Sequence, residues 1–547
     1  MIRRLFTKKI DSITIAATLV AFSSLASRFL GIFRDRILAG EFGAGNTLDV
    51  YYAAFRVPDL IFNLLVMGAL TAGFIPILTF LIKDSGCGKI FSFKESPNKE
   101  AWYLVNNLLN ILLLTLMVLS FLGVVFAPYL VDLIAPGFGP EKQSLTVGLT
   151  RIMFLSPIFL GISSILGGIL QSFKRFFVYS LAPIFYNLGI IIGALYLVPF
   201  LGIYGLAWGV ALGAFLHMAV QLPVALKLGY RYRPVFNLKS KNLVKIGKMM
   251  IPRTMTLAIS QINLLVITIF ASTLASGSLS VFNFANNLQS FPVGVFGISF
   301  AIAAFPTMSQ VAFSKEKLRV NLSQTVRKIL FFIVPATVLL ITLRAQIVRV
   351  VLGTGLFDWQ DTILTLQTLG FFAFSLFAQA LIPLLIRVFY ARQTAKVPFF
   401  IGLFAALVNV ISVWWFSKIL GVAGLALGFS LANIVNFVLL WLTLHMKLNG
   451  LEEERILLSA VKFSLGALAC GFTVQFTKSL VAPWVEMTKF WGILTQGLIA
   501  GILGFSVYLL ICYLLRSEEL FQLWRTFRKR FPWKKIETGD QGEARGI

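Results

Sequence analysis

Seven charged residues stand in or beside the first two apolar stretches of this 547-residue chain: Arg28, Arg34, Asp35, Arg36, Asp49, Arg56 and Asp59. A charge at mid-bilayer costs about 2.5 to 3.5 kcal/mol even on the lenient insertion scale, so such groups face a bundle interior or a wet cavity. Guanidinium groups in a cavity select anions, because their planar fork holds phosphate oxygens two at a time and stays charged at any physiological pH.

Each residue also has a plainer reading. Arg28 and Asp35 are seven apart and share one helix face, so Asp35 is expected to neutralise Arg28, with Arg34 pointing elsewhere. Arg34 and Arg36 fit the outer interface. The stretch Gly40-Glu-Phe-Gly-Ala-Gly45 breaks the first helix. Asn46 with Asp49 then resembles a capping box that opens the second. Arg56 and Asp59, at i and i+3, can satisfy each other. Cavity function is the expectation for Arg28 and Arg56, and it stands level with capping for Asp49.

The elements that hold these residues must be membrane helices. Hydrophobic residues make up 58% of the chain and charged ones 13%, with a mean hydropathy of +0.86. That composition describes an all-α, polytopic membrane protein. The net charge of +26 comes from basic residues in short connections and at the termini, not from a single stripe, which argues against nucleic acid as a partner. Cys87, Cys470 and Cys512 are scattered and odd in number, so they imply neither disulfides nor a metal site.

Windows of ~20 residues give about fourteen spans. Basic clusters recur in alternate connections (Lys174 and Arg175, Lys227 to Lys248, Lys315 to Lys328, Arg387 to Lys396), whereas turns 199–204 and 272–280 carry no charge. The positive-inside rule places the basic connections and both termini in the cytoplasm. The first apolar run mimics a signal peptide, but its helical pattern continues through Phe29, Leu30, Ile32 and Phe33, so it is read as a retained span.

An internal repeat is visible. Ile203-Tyr-Gly205-Leu-Ala-Trp-Gly209-Val-Ala-Leu212 matches Val422-Ala-Gly424-Leu-Ala-Leu-Gly428-Phe-Ser-Leu431 at an offset of 219 residues. Small-residue helix packing alone could produce such a pattern, but matched position and orientation favour a true duplication. With six spans per copy the halves share orientation, a parallel-repeat transporter plan. The expected organisation is an N-terminal lobe over 1–228, a C-terminal lobe over 229–450, two further spans over 451–515 and a basic amphipathic tail over 516–547. Gly68, Gly73, Gly294 and Gly297, beside Pro76 and Pro292, are hinge candidates.

Several motifs carry a resemblance. Ser27-Arg-Phe-Leu-Gly-Ile-Phe-Arg-Asp-Arg36, Phe42-Gly-Ala-Gly, Asp49, Ala54-Phe-Arg-Val-Pro58, Gly68-Ala-Leu, Phe74-Ile-Pro76, Ala135-Pro-Gly-Phe138, Ala182-Pro183 with Asn187, Ser260-Gln-Ile-Asn263, Phe291-Pro292 and Phe389-Tyr-Ala-Arg392-Gln393 occur in order over almost the whole chain. Together they resemble the MurJ (MviN) lipid II flippase family of the MOP transporter superfamily. The resemblance implies fourteen helices in two lobes plus two, and transport of an undecaprenyl-pyrophosphate disaccharide-pentapeptide to the outer leaflet of the bacterial cytoplasmic membrane. It also implies a cationic cavity using Arg28, Arg34 and Asp49. The chain departs from the family where relatives carry an arginine pair, here Phe62-Asn63, and an acidic-glycine step, here Met67-Gly68. A family arginine is replaced by Asn287, and a nearby acid by Ser290. The expected substrate-contacting set is therefore Arg28, Arg34, Asp35, Asp49, Arg56, Arg253, Asn287 and Ser290, with Arg56 and Arg253 compensating for lost charge.

No zinc-ligand spacing, phosphate-cradling glycine loop or nucleophile-histidine-acid set is found, so no cofactor and no catalysis are expected. The rival readings are a polysaccharide flippase or a drug/cation antiporter of the same superfamily, and, in a different class, a polyprenyl-phosphate transferase using Asp35 or Asp49. An antiporter needs an embedded carboxylate, and after Asp59 the chain offers only Asp361, near a span end. Anionic membrane lipids are expected partners of the tail, where Leu520, Trp524, Phe527 and Phe531 share a face, and cell-wall polymerases are candidate partners of the whole.

Overall fold

In the computed structural model the backbone is described over residues 13–67, 73–84 and 99–530. The basic N-terminus, Cys87, Gly68, Phe531 and the side chains of Arg253 and Phe527 lie outside the described residues. All regular structure within them is helical, as lipid requires of any chain that cannot close a barrel, because only a helix satisfies its own backbone hydrogen bonds. Ten helices are long and apolar enough to cross a membrane, and eleven if the pair Trp359–Ala373 and Leu376–Ala391, bent by 47°, is one span. Length and composition thus stop short of fourteen. Ile13–Phe42, Asn46–Phe62 and Lys241–Ser272 fall outside that set, and these three helices carry the charged residues singled out above.

The offset of 219 extends well beyond the matching glycines. Pro140–Met153 maps onto Trp359–Ala373, Phe176–Ile192 onto the start of Lys396–Leu420, and Tyr204–Ala219 onto Val422–Leu448. Left-handed backbone recurs at the same spacing: Lys174 (φ 59°) with Gln393 (φ 58°), and Gly202 (φ 58°) with Gly421 (φ 57°). In the first pair the next amide closes the helix end, Arg175 N–H to Leu170 O at 2.7 Å and Thr394 N–H to Phe389 O at 2.9 Å. The glycines of the repeat also pack helices closely. A Cβ on Gly189 would collide with Gly213, and one on Gly193 with Gly209.

Three apolar cores organise the bundle. One is shared by both halves: Leu38, Leu48, Val57 and Leu206 from the first pack with Leu279, Leu288, Phe372 and Leu425 from the second. This core lies at the end bearing the turns near residues 43–45, 135–139, 272–277 and 352–358. Beyond it lie two further cores, and the halves still touch, Thr254 donating to Leu64 O at 3.1 Å. Val66, Leu78, Leu104 and Ile165 form a core of the first half, joined by Ile246. Val293, Leu318, Ile329 and Leu384 form another with Phe463 and Tyr508 of the last two long helices.

Bends mark the transition. Pro58 and Pro292 lie inside helices and are followed by π-helical segments Asn63–Met67 and Val293–Ile298, the expected result of removing a backbone donor from a helix. The connection between the halves is strapped to the first. Asn107 exchanges two hydrogen bonds with the Asn237 backbone at 2.7 and 2.9 Å, Asn110 donates to Arg233 O and Val235 O, and Asn106 binds Arg231 O and Arg233 N.

The tail helix Glu518–Arg530 is docked through a buried charge. Glu519, 3% exposed, accepts from Arg327 at 2.8 Å and Ser459 at 3.0 Å. Leu520 and Leu523 pack on the core while Trp524 is 70% exposed.

Candidate functional site

The charged cluster sits where the shared core ends, and its pairings differ from those suggested by local spacing. Arg34 folds back on its neighbour, donating to Asp35 Oδ1 from Nε at 3.0 Å and from a terminal nitrogen at 2.7 Å, and reaches Asn187 Oδ1 at 3.1 Å. Asn287, from the other half, donates to Asp35 Oδ2 at 2.8 Å. Asp35 is thus a buried bridge between the halves that neutralises Arg34, not Arg28. Arg34 lies inside the bundle instead of at the outer interface, since its partners are intramolecular. Arg36 points outward along the seal, donating to Val350 O at 2.5 Å.

Arg28 is left without an acidic partner among the described residues. Its guanidinium lies against Gly294 and donates, at 3.5 Å, to the carbonyl of Ser290. A Cβ at position 294 would strike all three terminal guanidinium atoms, so a larger residue there would displace the Arg28 side chain. Gly297 likewise makes room for the Ala380 backbone. The Ser290 hydroxyl is spent within its own helix on Asn286 O at 2.6 Å, so only its carbonyl faces the cation.

Arg56 also crosses between halves, with Nε to Thr268 Oγ1 and a terminal nitrogen to Asn283 Oδ1, both at 2.9 Å. A pair with Asp59 is therefore not what orients it. Asp49 does not cap its own helix, whose N-cap, Gly45, has no side-chain bond. It caps a helix of the opposite half, accepting from Gly277 N at 2.7 Å, Ser280 N at 3.0 Å and Ser280 Oγ at 2.8 Å, with Lys142 at 3.4 Å. Gly277 supplies the left-handed turn (φ 89°) that aims these amides, and its Cα approaches the Ala44 carbonyl too closely for a side chain. Carboxylate on a helix N-terminus is favourable for charge and for the unpaired amides alike.

Sequence reasoning passed over Thr268, Asn283, Lys142 and Ser280 as site residues. Single polar residues within apolar runs were the available signal. The neutral donors Asn263 and Asn409 hydrogen-bond each other at 3.2 Å. His217 meets the Ser163 hydroxyl at 2.7 Å and His445 meets Glu453 at 2.5 Å, so both histidines are held by structural partners.

Residues 38–495 match the family model described as lipid II flippase MurJ. A probable lipid II flippase MurJ of Thermotoga maritima is 30% identical over 512 residues, covering 92% of this chain and 98% of that protein. One of Buchnera aphidicola from Schizaphis graminum is 29% identical over 523 residues, with the same coverages of 92% and 98%. Among solved structures, lipid II flippase MurJ in an inward closed conformation superposes with TM-score 0.74 at 24% identity, covering 91% of this chain and 99% of that one. An inward-facing multidrug-resistance MATE transporter of the MOP superfamily reaches 0.62 at 16% identity, covering 79% of this chain and 99% of its own, a likeness of fold alone. A membrane bundle duplicated at one offset, with guanidinium groups buried between its halves and a family match over most of its length, places this chain in the MurJ lipid II flippase family.

Proposed function

We propose that the chain carries lipid II across the bacterial cytoplasmic membrane by alternating access between two lobes, 1–228 and 229–450, with both termini in the cytoplasm. The charge-poor end with the shared core faces outward, by the positive-inside rule, so the conformation is sealed outside. Arg28 carries this reading. A half-buried cation with no anionic partner among the described residues is costly, and a site retains one when a ligand completes it. The pyrophosphate of a lipid carrier supplies the missing anion, and Arg28 receives it in a bidentate pair. Arg34 is neutralised by Asp35 and acts as a second contact only after the carboxylate lets go. Asn287, where relatives carry arginine, holds that carboxylate. Arg56 and Asp49 close the path instead of lining it.

The test is rescue of a bacterium depleted of its own lipid II flippase. The chain restores growth and normal cell shape, and an Arg28→Ala variant inserted at equal level does not. Failure of the wild-type chain, or full rescue by the alanine variant, contradicts the reading.

A further inference from the structure

The outer seal is built twice. In the first half, the loop before Pro140–Met153 grips the turn of the second half, with Gly137 N–H on Ser272 Oγ at 3.2 Å. In the second half, the loop before Trp359–Ala373 grips the turn of the first, with Leu356 N–H on Gly40 O at 2.8 Å. Positions 137 and 356 are 219 apart, the offset of the repeat, so equivalent loops of the two halves reach across the seal, one to a side-chain hydroxyl and the other to a backbone carbonyl.

The same offset relates Lys142 to Asp361. Lys142 supports Asp49, whose carboxylate takes the Gly277 and Ser280 amides of the opposite half. Asp361 takes the Ala44 amide of the opposite half directly, at 2.9 Å. Each half thus sends one carboxylate onto backbone amides of the other. Gly43 (φ 62°) and Gly355 (φ 55°) let the backbones meet without intervening side chains. A seam of amides and carboxylates exchanges its bonds for water when the halves part and needs no repacking to re-form.

We propose that Asp361 is the second carboxylate latch of the outer seal, a positioning residue that releases together with Asp49 when the site opens outward. The inference rests on the alternating-access reading above. A purely local role is the alternative, because Asp361 also completes a capping box with Asp358, Oδ2 accepting Asp358 N–H at 3.4 Å and its own amide donating to Asp358 Oδ1 at 2.7 Å. The bond across the seal is the shorter of the two that its carboxylate accepts.

Hydrogen–deuterium exchange on the full chain in lipid nanodiscs separates these roles without requiring transport, so failure of the flippase reading leaves it interpretable. Asp361→Ala is expected to speed exchange about tenfold at 40–48 and equally at 274–282, the distant Asp49 latch, as loss of a charge-assisted bond shifts the opening equilibrium of the whole seal. Asp361→Asn, which keeps size and fold, shifts both segments in the same direction by less. Asp358→Ala, which removes only the helix cap, leaves 274–282 unchanged. Faster exchange at 40–48 alone, no change in either segment, or an equal effect of Asp358→Ala at 274–282 overturns the proposal.

Discussion

The two ends of this bundle solve opposite problems with different materials. At the outer end, both halves contribute to one apolar core, and their backbones touch through glycines and two carboxylates. At the other end, proposed to face inward, each half has a further core, the first joined by Ile246 and backed by the strapped connection, the second by the last two long helices. The difference teaches where motion is cheap. Separating the inner ends exposes the contacts of Ile246 and Thr254 with the first half, whereas separating the outer ends must expose the shared apolar core and exchange a set of polar bonds for water. Arg28 and Arg34 sit at the boundary, where the proposed substrate would sense both conditions, and Arg56 ties the halves together beside them.

Five substitutions or truncations probe that contrast, in descending order of expected effect on transport. Arg28→Ala should abolish flipping of a fluorescent lipid II analogue in proteoliposomes while expression and detergent stability hold. Arg28→Lys should recover only part, since an ammonium lacks the planar fork. Asp49→Ala should cost about 2 to 5 kcal/mol in the sealed state, because Lys142 and two amides lose a buried partner. Modification of an outward-facing cysteine reporter would then rise steeply, and an unchanged rate would remove Asp49 from the seal. Gly294→Ala should lower transport several-fold by displacing the Arg28 guanidinium, with a thermal midpoint close to wild type. A large loss of stability instead would make Gly294 a packing residue. Truncation after Ser517 should have the smallest effect on transport but a clear one on stability, since it strands the buried Arg327 at a cost of about 3 to 5 kcal/mol. Equal thermal midpoints with and without residues 518–547 would refute that anchoring role.

Much of this was legible in the sequence, and the misses share one cause. The repeat offset and the helical class follow from apolar length and glycine spacing, and the cost of charge in lipid singles out Arg28, Arg34, Asp49 and Arg56 as groups that need an answer inside the bundle. Partners did not follow, because spacing along one helix ranks only neighbours at i+3, i+4 or i+7. Asp49 reads locally as a cap for its own helix, yet its partners, Gly277 and Ser280, lie in the opposite half. Asp35 reads as the mate of Arg28, yet an adjacent long side chain, Arg34, curls onto it. Asp361 reads as a mere span-end residue until the offset sets it opposite Lys142. Local rules locate a buried charge; only the fold decides which half answers it.

The most direct test of the account is a reversible lock on the outer seal. Asn46 and Ser276 come from opposite halves, are exposed, and touch through Oδ1 and Oγ at 2.5 Å. Asn46→Cys with Ser276→Cys should form a disulfide in the sealed conformation. Lipid II translocation in proteoliposomes, measured before and after reduction, should be absent in the oxidised protein and return when the bond is broken. Translocation at the wild-type rate by fully oxidised protein would contradict alternating access between these halves.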